Sequence, residues 1–301
     1  MSAVIQVNHL SKQYREVKAV NDISFTVNRG DVYGFLGQNG AGKSTTIRML
    51  LTLIKPSAGS VELFGKNLYT HRKEILREIG AVIEKPDLYK YLTAYENLSL
   101  FARMSGVPVN EKKLKDQLEQ VGLTERAHSK VRTYSQGMKQ RLGIAIALIH
   151  DPQLIILDEP TNGLDPQGVV EMRSLIRRLG SGKRTVMLSS HLLNEVQQIS
   201  DRVAIIRKGK LVAQGTVHEL RGESAIVVRV TPVDAARRQL DRMLGAAAVT
   251  AVDGTLRLSV DPDRAADIND ALVGAGIKVS ELRAVERTLE EVFLTLTGEA
   301  A

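Results

Sequence analysis

The stretch "DVYGFLGQNGAGKSTTIRMLLTLI", residues 31–54, decides the fold. Its first six residues read as a short buried strand. Its last eleven, "STTIRMLLTLI", have helical character and stop at Lys55-Pro56, where the proline disfavours continuation. Between them, "GQNGAGKST", Gly37 to Thr45, places three glycines and a lysine in nine residues. A glycine-rich loop between a strand and a helix is the setting in which this pattern makes a phosphate site. Gly37, Gly40 and Gly42 let the backbone curl so that successive N–H groups point inward at phosphate oxygens. The helix that follows adds the positive end of its dipole. Lys43 is expected to reach the β- and γ-phosphates, and the Ser44 hydroxyl to ligate Mg²⁺. Gln38, Asn39, Ala41 and Thr45 complete the expected cradle.

Working outward, the chain has 301 residues, 43% of them apolar, which is enough for a full core and a second, smaller domain. No apolar run approaches the roughly 18 residues of a membrane span. The opening "MSAVIQVNHL" lacks the basic and apolar regions of a secretory signal. With zero cysteines, disulfides and thiolate metal sites are excluded. The absence of tryptophan argues against base-stacking platforms for single-stranded nucleic acid. Residues 1–220 carry 31 basic and 21 acidic side chains, while residues 221–301 carry 10 and 13. That asymmetry suggests a boundary near Arg221–Ser224. The basic part is either a plain solvated surface or one facing phosphates, an anionic membrane or nucleic acid.

The first two-thirds alternates apolar runs with helical stretches, as in an α/β domain with helices around a mixed sheet. Two further strands end in chemistry. "LIIL", 154–157, runs straight into Asp158 and Glu159, placing both acids at the carboxyl end of a buried strand, the edge where open parallel sheets bind ligands. Asp158 is expected to hold Mg²⁺ and Glu159 to act as general base on the attacking water. "TVMLSS", 185–190, delivers His191 to the same edge, where it can hold that water. Three strand ends converging on one edge read as a nucleotide hydrolase.

"YSQGMKQRLGIAIAL", 134–148, narrows the class. Ser135 is a good N-cap for a helix running to about His150. A Ser-x-Gly helix start, Ser135 to Gly137, offers a hydroxyl, free N–H groups and a dipole to an anion. In a chain that already has a phosphate loop, a second such start makes sense if it serves the nucleotide of another copy. Here the sequence resembles the ATP-binding-cassette superfamily, from residue 4 to about 220, with aromatic loop, P-loop, Q-loop, signature, carboxylate strand, D-loop and switch histidine in the family's order. The resemblance implies that Tyr14 stacks on adenine, that Asp165 lies at a dimer interface, and that His191 is the switch histidine. It also implies a head-to-tail homodimer in which each ATP is held between one P-loop and the partner's signature, so that Ser135 and Gly137 act across the interface.

Two departures stand out. Gln136 and Met138 replace a glycine and a glutamine of the family's signature. Glu84 stands after "IGAVI" where the family has its Q-loop glutamine, and a carboxylate there can still ligate Mg²⁺ or a water. With "LTAYENL" beyond it, this looks like the branch exporting bacitracin and lantibiotic-type peptide antibiotics. There the cassette is a separate chain docked on a membrane permease, which implies a peripheral place on the cytoplasmic face of the cell membrane.

The resemblance implies an ATPase domain over residues 1–221, with a helical subdomain at about 86–150, and an accessory α+β domain over 222–301. In the latter, "AIVVRV", "AAVTAV", "TLRLSV" and "KVSELR" read as strands, with helices over 233–245 and 264–275 between them. The order β-α-β-β-α-β suggests a ferredoxin-like module with a last helix near 288–296. The alternative function, a soluble cassette acting on ribosomes or nucleic acid, is disfavoured by the lack of a second P-loop. The roughly 90 residues between P-loop and signature also leave no room for a long coiled coil.

Overall fold

Alternating strands and helices resolve into three sheets in the computed structural model, which describes residues 2–182, 184–221, 225–252, 254–285 and 288–297. The chain clusters into two compact units, Met1–Val217 and His218–Ala301. Residues 222–224, part of the expected boundary, lie outside the described residues.

The first unit opens with two long strands, β1 (Ala3–Tyr14) and β2 (Val17–Asn28), followed by β3 (Val32–Leu36) and helix α1 (Lys43–Leu50). Then come β4 (Ala58–Leu63), β5 (Lys66–Asn67), α2 (Arg72–Leu76) and β6 (Ile79–Val82). Three helices follow, α3 (Ala94–Met104), α4 (Glu111–Gln120) and α5 (Gln136–Ala147). The unit continues through β7 (Leu154–Asp158), α6 (Pro166–Gly180), β8 (Thr185–Ser190), α7 (Leu193–Val196), β9 (Arg202–Arg207) and β10 (Lys210–Thr216).

β1, β2, β4 and β5 form an antiparallel sheet in the order β2-β1-β4-β5. The other sheet runs β10-β9-β3-β8-β7-β6 and is parallel except for its edge strand β10. Its inner strands β3, β7 and β8 are buried along their whole length, which is why β3 and the first four residues of β7 read as apolar runs rather than alternations. The main core lies between the two sheets: Phe25 of β2 packs on Tyr33 and Phe35 of β3, with ring centroids 6.0 and 5.1 Å apart. Helix starts carry their own caps. Thr93 and Glu96 form a capping box on α3, Asn110 caps α4, and Ser135 caps α5.

α1 is shorter than its apolar run suggested. It closes at Leu50 because Thr52 takes a left-handed φ of 56°. The Thr52 N–H then bonds the Met49 carbonyl at 3.1 Å and the Leu53 N–H the Arg48 carbonyl at 2.9 Å, a Schellman closure. Leu53 is left exposed.

After α8 (Val217–Arg221), the second unit contains β11 (Ala225–Thr231), α9 (Val233–Leu244), β12 (Val249–Val252), β13 (Thr255–Leu258), α10 (Ala265–Gly274), β14 (Lys278–Val285) and α11 (Leu289–Thr297). Its strands lie in the order β12-β13-β11-β14 with every neighbouring pair antiparallel. Ile226, Val228 and Val230 of β11 alternate into a core shared with Leu240 of α9 and Leu272 of α10.

Candidate active site

Neighbouring strands β6, β7, β8 and β3 run parallel, so their carboxyl ends share one edge of the sheet. The loop after β3 turns into α1 through Gly42, whose φ of 106° suits only glycine and whose absent side chain leaves room for the Ala19 carbonyl. A Cβ there would sit 2.5 Å from that oxygen. Lys43, 5% exposed, folds its ammonium back into the loop, donating to the carbonyls of Gly37 at 2.6 Å and Gln38 at 3.3 Å. It also pairs with Glu159 Oε1 at 3.1 Å.

The end of β7 is held by β8. Asp158 is 1% exposed, and its Oδ1 accepts a hydrogen bond from the Ser189 hydroxyl. The same hydroxyl accepts the Glu159 N–H at 3.0 Å. Asp158 Oδ2 is buried without a hydrogen-bond partner among the described residues. Glu159, at φ 50°, turns back over the sheet edge, with Oε2 2.9 Å from His191 Nδ1. Both oxygens of this carboxylate are therefore engaged, one by Lys43 and one by His191.

Glu84, two residues past β6, also has a left-handed backbone, φ 56°. Left-handed non-glycine residues are uncommon, and Glu84 and Glu159 are two of them, each just past one of the neighbouring strands β6 and β7. Glu84, Ser44, Gln140, Asp158, Glu159 and Asn162 border an open cleft of ≈ 640 Å³. A second cleft of ≈ 410 Å³ is bordered by Tyr14, Asn39, Gly40, Lys43, Ser44, Thr45 and Glu159. Tyr14 is 45% exposed there, with the Lys12 ammonium 4.9 Å from its ring centroid.

Sequence reasoning missed Ser189, Gln140, Asn162 and Arg48, which pairs with Glu84. None of the four carried a signal, because a serine in a strand, a glutamine or arginine on a helix and an asparagine in a turn each have ordinary readings.

Ser135, Gly137 and Asp165 line neither cleft. Ser135 Oγ accepts the Met138 N–H at 3.2 Å, and Asp165 Oδ1 accepts the Gly168 N–H at 2.8 Å, each capping its own helix. The loop before Ser135 is fixed by Tyr134, whose hydroxyl donates to the Arg126 carbonyl at 2.6 Å and whose pKa is pushed up by burial.

A family model described as "ABC transporter" matches residues 20–162. The bacitracin transport ATP-binding protein BcrA of Bacillus licheniformis is 41% identical over 312 residues, covering 99% of this chain and 98% of that protein. The chain belongs to the ABC transporter ATP-binding proteins. The lantibiotic transport ATP-binding protein SrtF of Streptococcus pyogenes is 41% identical over 211 residues, covering 70% of this chain and 90% of that one. A solved ATP-binding subunit of an ABC transporter superposes with a TM-score of 0.64 at 32% identity, over 72% of this chain and 92% of its own. As a member of this family the cassette binds ATP and hydrolyses it. Lys43, Asp158, Glu159 and His191 come together at one edge of this cassette's sheet.

Proposed function

We propose that the protein is the motor of an exporter, working as a head-to-tail homodimer beneath a separate membrane permease and moving a peptide antibiotic, a drug or a lipid. One observation carries this reading above a generic cassette: the likeness to a bacitracin transport ATP-binding protein runs over 99% of the chain, second unit included. No helix among the described residues is long and apolar enough to cross a membrane. In this reading the membrane path belongs to another chain, and the cassette sits peripherally on the cytoplasmic face. Residues 1–221 act as the ATPase domain, with a helical subdomain at about 86–150. Residues 222–301 act as an accessory module, whose strand order supports a ferredoxin-like class.

The residues fit a magnesium ion. Asp158 Oδ2 is a buried carboxylate oxygen without a partner among the described residues, and the Ser44 hydroxyl borders the same cleft. Hard oxygen donors suit Mg²⁺. Among the described residues no group of three or more His, Cys, Asp or Glu could hold a metal. Asp158, Ser44 and Glu84 would hold the ion, which when bound neutralises charge on the phosphates.

Lys43 and the loop amides bind the phosphates of ATP, while Tyr14 stacks on its base. The γ-phosphate competes for the Lys43 ammonium, which frees Oε1 of Glu159 to accept a proton from the attacking water. His191, on the other oxygen, fixes the carboxylate and orients that water. Ser135, Gly137 and the Asp165 loop act on the nucleotide of the partner copy. The surface around residues 84–101 receives the permease. It carries an exposed aromatic pair, Tyr89 and Tyr91, and the basic Lys85 and Lys90.

The test is to express tagged Glu159→Gln in the native cell with ATP present and identify what co-purifies from solubilised membranes. A stoichiometric multi-span membrane protein is expected. Ribosomes, nucleic acid or no partner would overturn the exporter assignment.

A further inference from the structure

Glu84 stands where the family has a neutral glutamine, and it brings a negative charge to a cleft that must take up phosphates. The structure answers that charge. Arg48 Nη2 lies 2.5 Å from Glu84 Oε1 and joins the residue past β6 to helix α1. Arg48 is four positions after Ser44, so the two residues share one face of α1, and the hydroxyl that borders the cleft and the guanidinium stand one turn apart. The Arg48 backbone is fixed as well, because its carbonyl accepts the Leu53 N–H in the Schellman closure of α1. A basic residue in this last turn also suits the helix dipole, but that role needs no carboxylate partner. The left-handed backbone of Glu84 swings its carboxylate to the guanidinium while the residue still borders the cleft with Ser44 and Asp158.

We propose that Arg48 is a positioning residue that holds the Glu84 carboxylate against α1 and so sets how strongly nucleotide binding depends on a divalent cation. While paired, Glu84 neither repels the phosphates at full strength nor faces a cation freely. Released, its charge weakens the binding of metal-free ATP and strengthens the binding of the metal complex. This rests on the reading of Glu84 as metal-facing.

The experiment measures the affinity of the full chain for a fluorescent ATP analogue, with Mg²⁺ and with EDTA, and takes the ratio of the two. It requires no turnover. Exposed ion pairs are weak, so Arg48→Met is expected to raise the ratio about two- to fivefold. Arg48→Lys, which keeps the charge, should stay near wild type. In a Glu84→Gln background, Arg48→Met should leave the ratio unchanged. If Glu84→Gln lowers the ratio but Arg48→Met does not raise it, the positioning role of Arg48 is wrong. If Glu84→Gln itself leaves the ratio at the wild-type value, the metal-facing reading of Glu84 falls, and this proposal falls with it. A drop in affinity for Arg48→Met that is equal with and without Mg²⁺, and persists in the Glu84→Gln background, would mark Arg48 as purely structural.

Discussion

Ser189→Ala is the sharpest structural test of the catalytic edge. The Ser189 side chain is fully buried, and its one hydroxyl serves two groups, donating to Asp158 Oδ1 and accepting the Glu159 N–H at 3.0 Å. Alanine removes both bonds. A hydrogen bond to a charged group contributes about 1.5–3 kcal/mol, and an orphaned buried N–H costs about 1–3 kcal/mol. The two share one oxygen and are not additive, so a total near 2–4 kcal/mol is expected. Asp158 already has one unpartnered oxygen, so the variant would bury a carboxylate with neither oxygen satisfied. Thermal unfolding followed by circular dichroism should show the ATPase unit melting at least about 4 °C lower. ATP with Mg²⁺ should recover part of that loss, because the ion gives Asp158 a partner. A melting point within about 1 °C of wild type would refute the claim that Ser189 holds the two acids.

Other outcomes follow from the same geometry. Lys43→Ala removes an ammonium that touches two loop carbonyls and Glu159, and equilibrium titration should show ATP affinity falling about 10- to 100-fold. Retained affinity would count against the phosphate loop. Ser135→Ala loses only a helix cap within its own chain, about 0.5–1 kcal/mol of stability, yet should abolish most turnover. Mixing inactive Ser135→Ala with inactive Lys43→Ala chains should restore activity, because one of the two sites then combines an intact P-loop with the other chain's intact Ser135. A mixture as inactive as its parts would place Ser135 in the site of its own chain.

Which parts were legible in the sequence follows from where the information lies. The P-loop was readable because its backbone imposes residue type directly: Gly40 and Gly42 take φ of 79° and 106°. The end of β7 was readable because a strand buried on both faces is mostly apolar, so the two acids that follow Leu157 stand out at its carboxyl end. Ser189 was not, because a hydroxyl inside a strand looks the same whether it bonds an acid thirty residues away or packs idly. Arg48 was hidden for a similar reason. An exposed arginine on a helix announces no partner, and its pairing depends on the left-handed turn at Glu84, which a glutamate does not advertise. The length of α1 was misjudged because Thr52, rather than a glycine, adopts the left-handed cap.

The most direct measurement compares ATP binding and ATP turnover in one preparation of Glu159→Gln. The amide keeps the size of the side chain and loses the basic carboxylate that His191 and Lys43 now hold. Binding should stay close to wild type, while turnover falls about 100-fold or more. Turnover near the wild-type rate would contradict the assignment of Glu159 as the base, and with it the account of this edge as the engine.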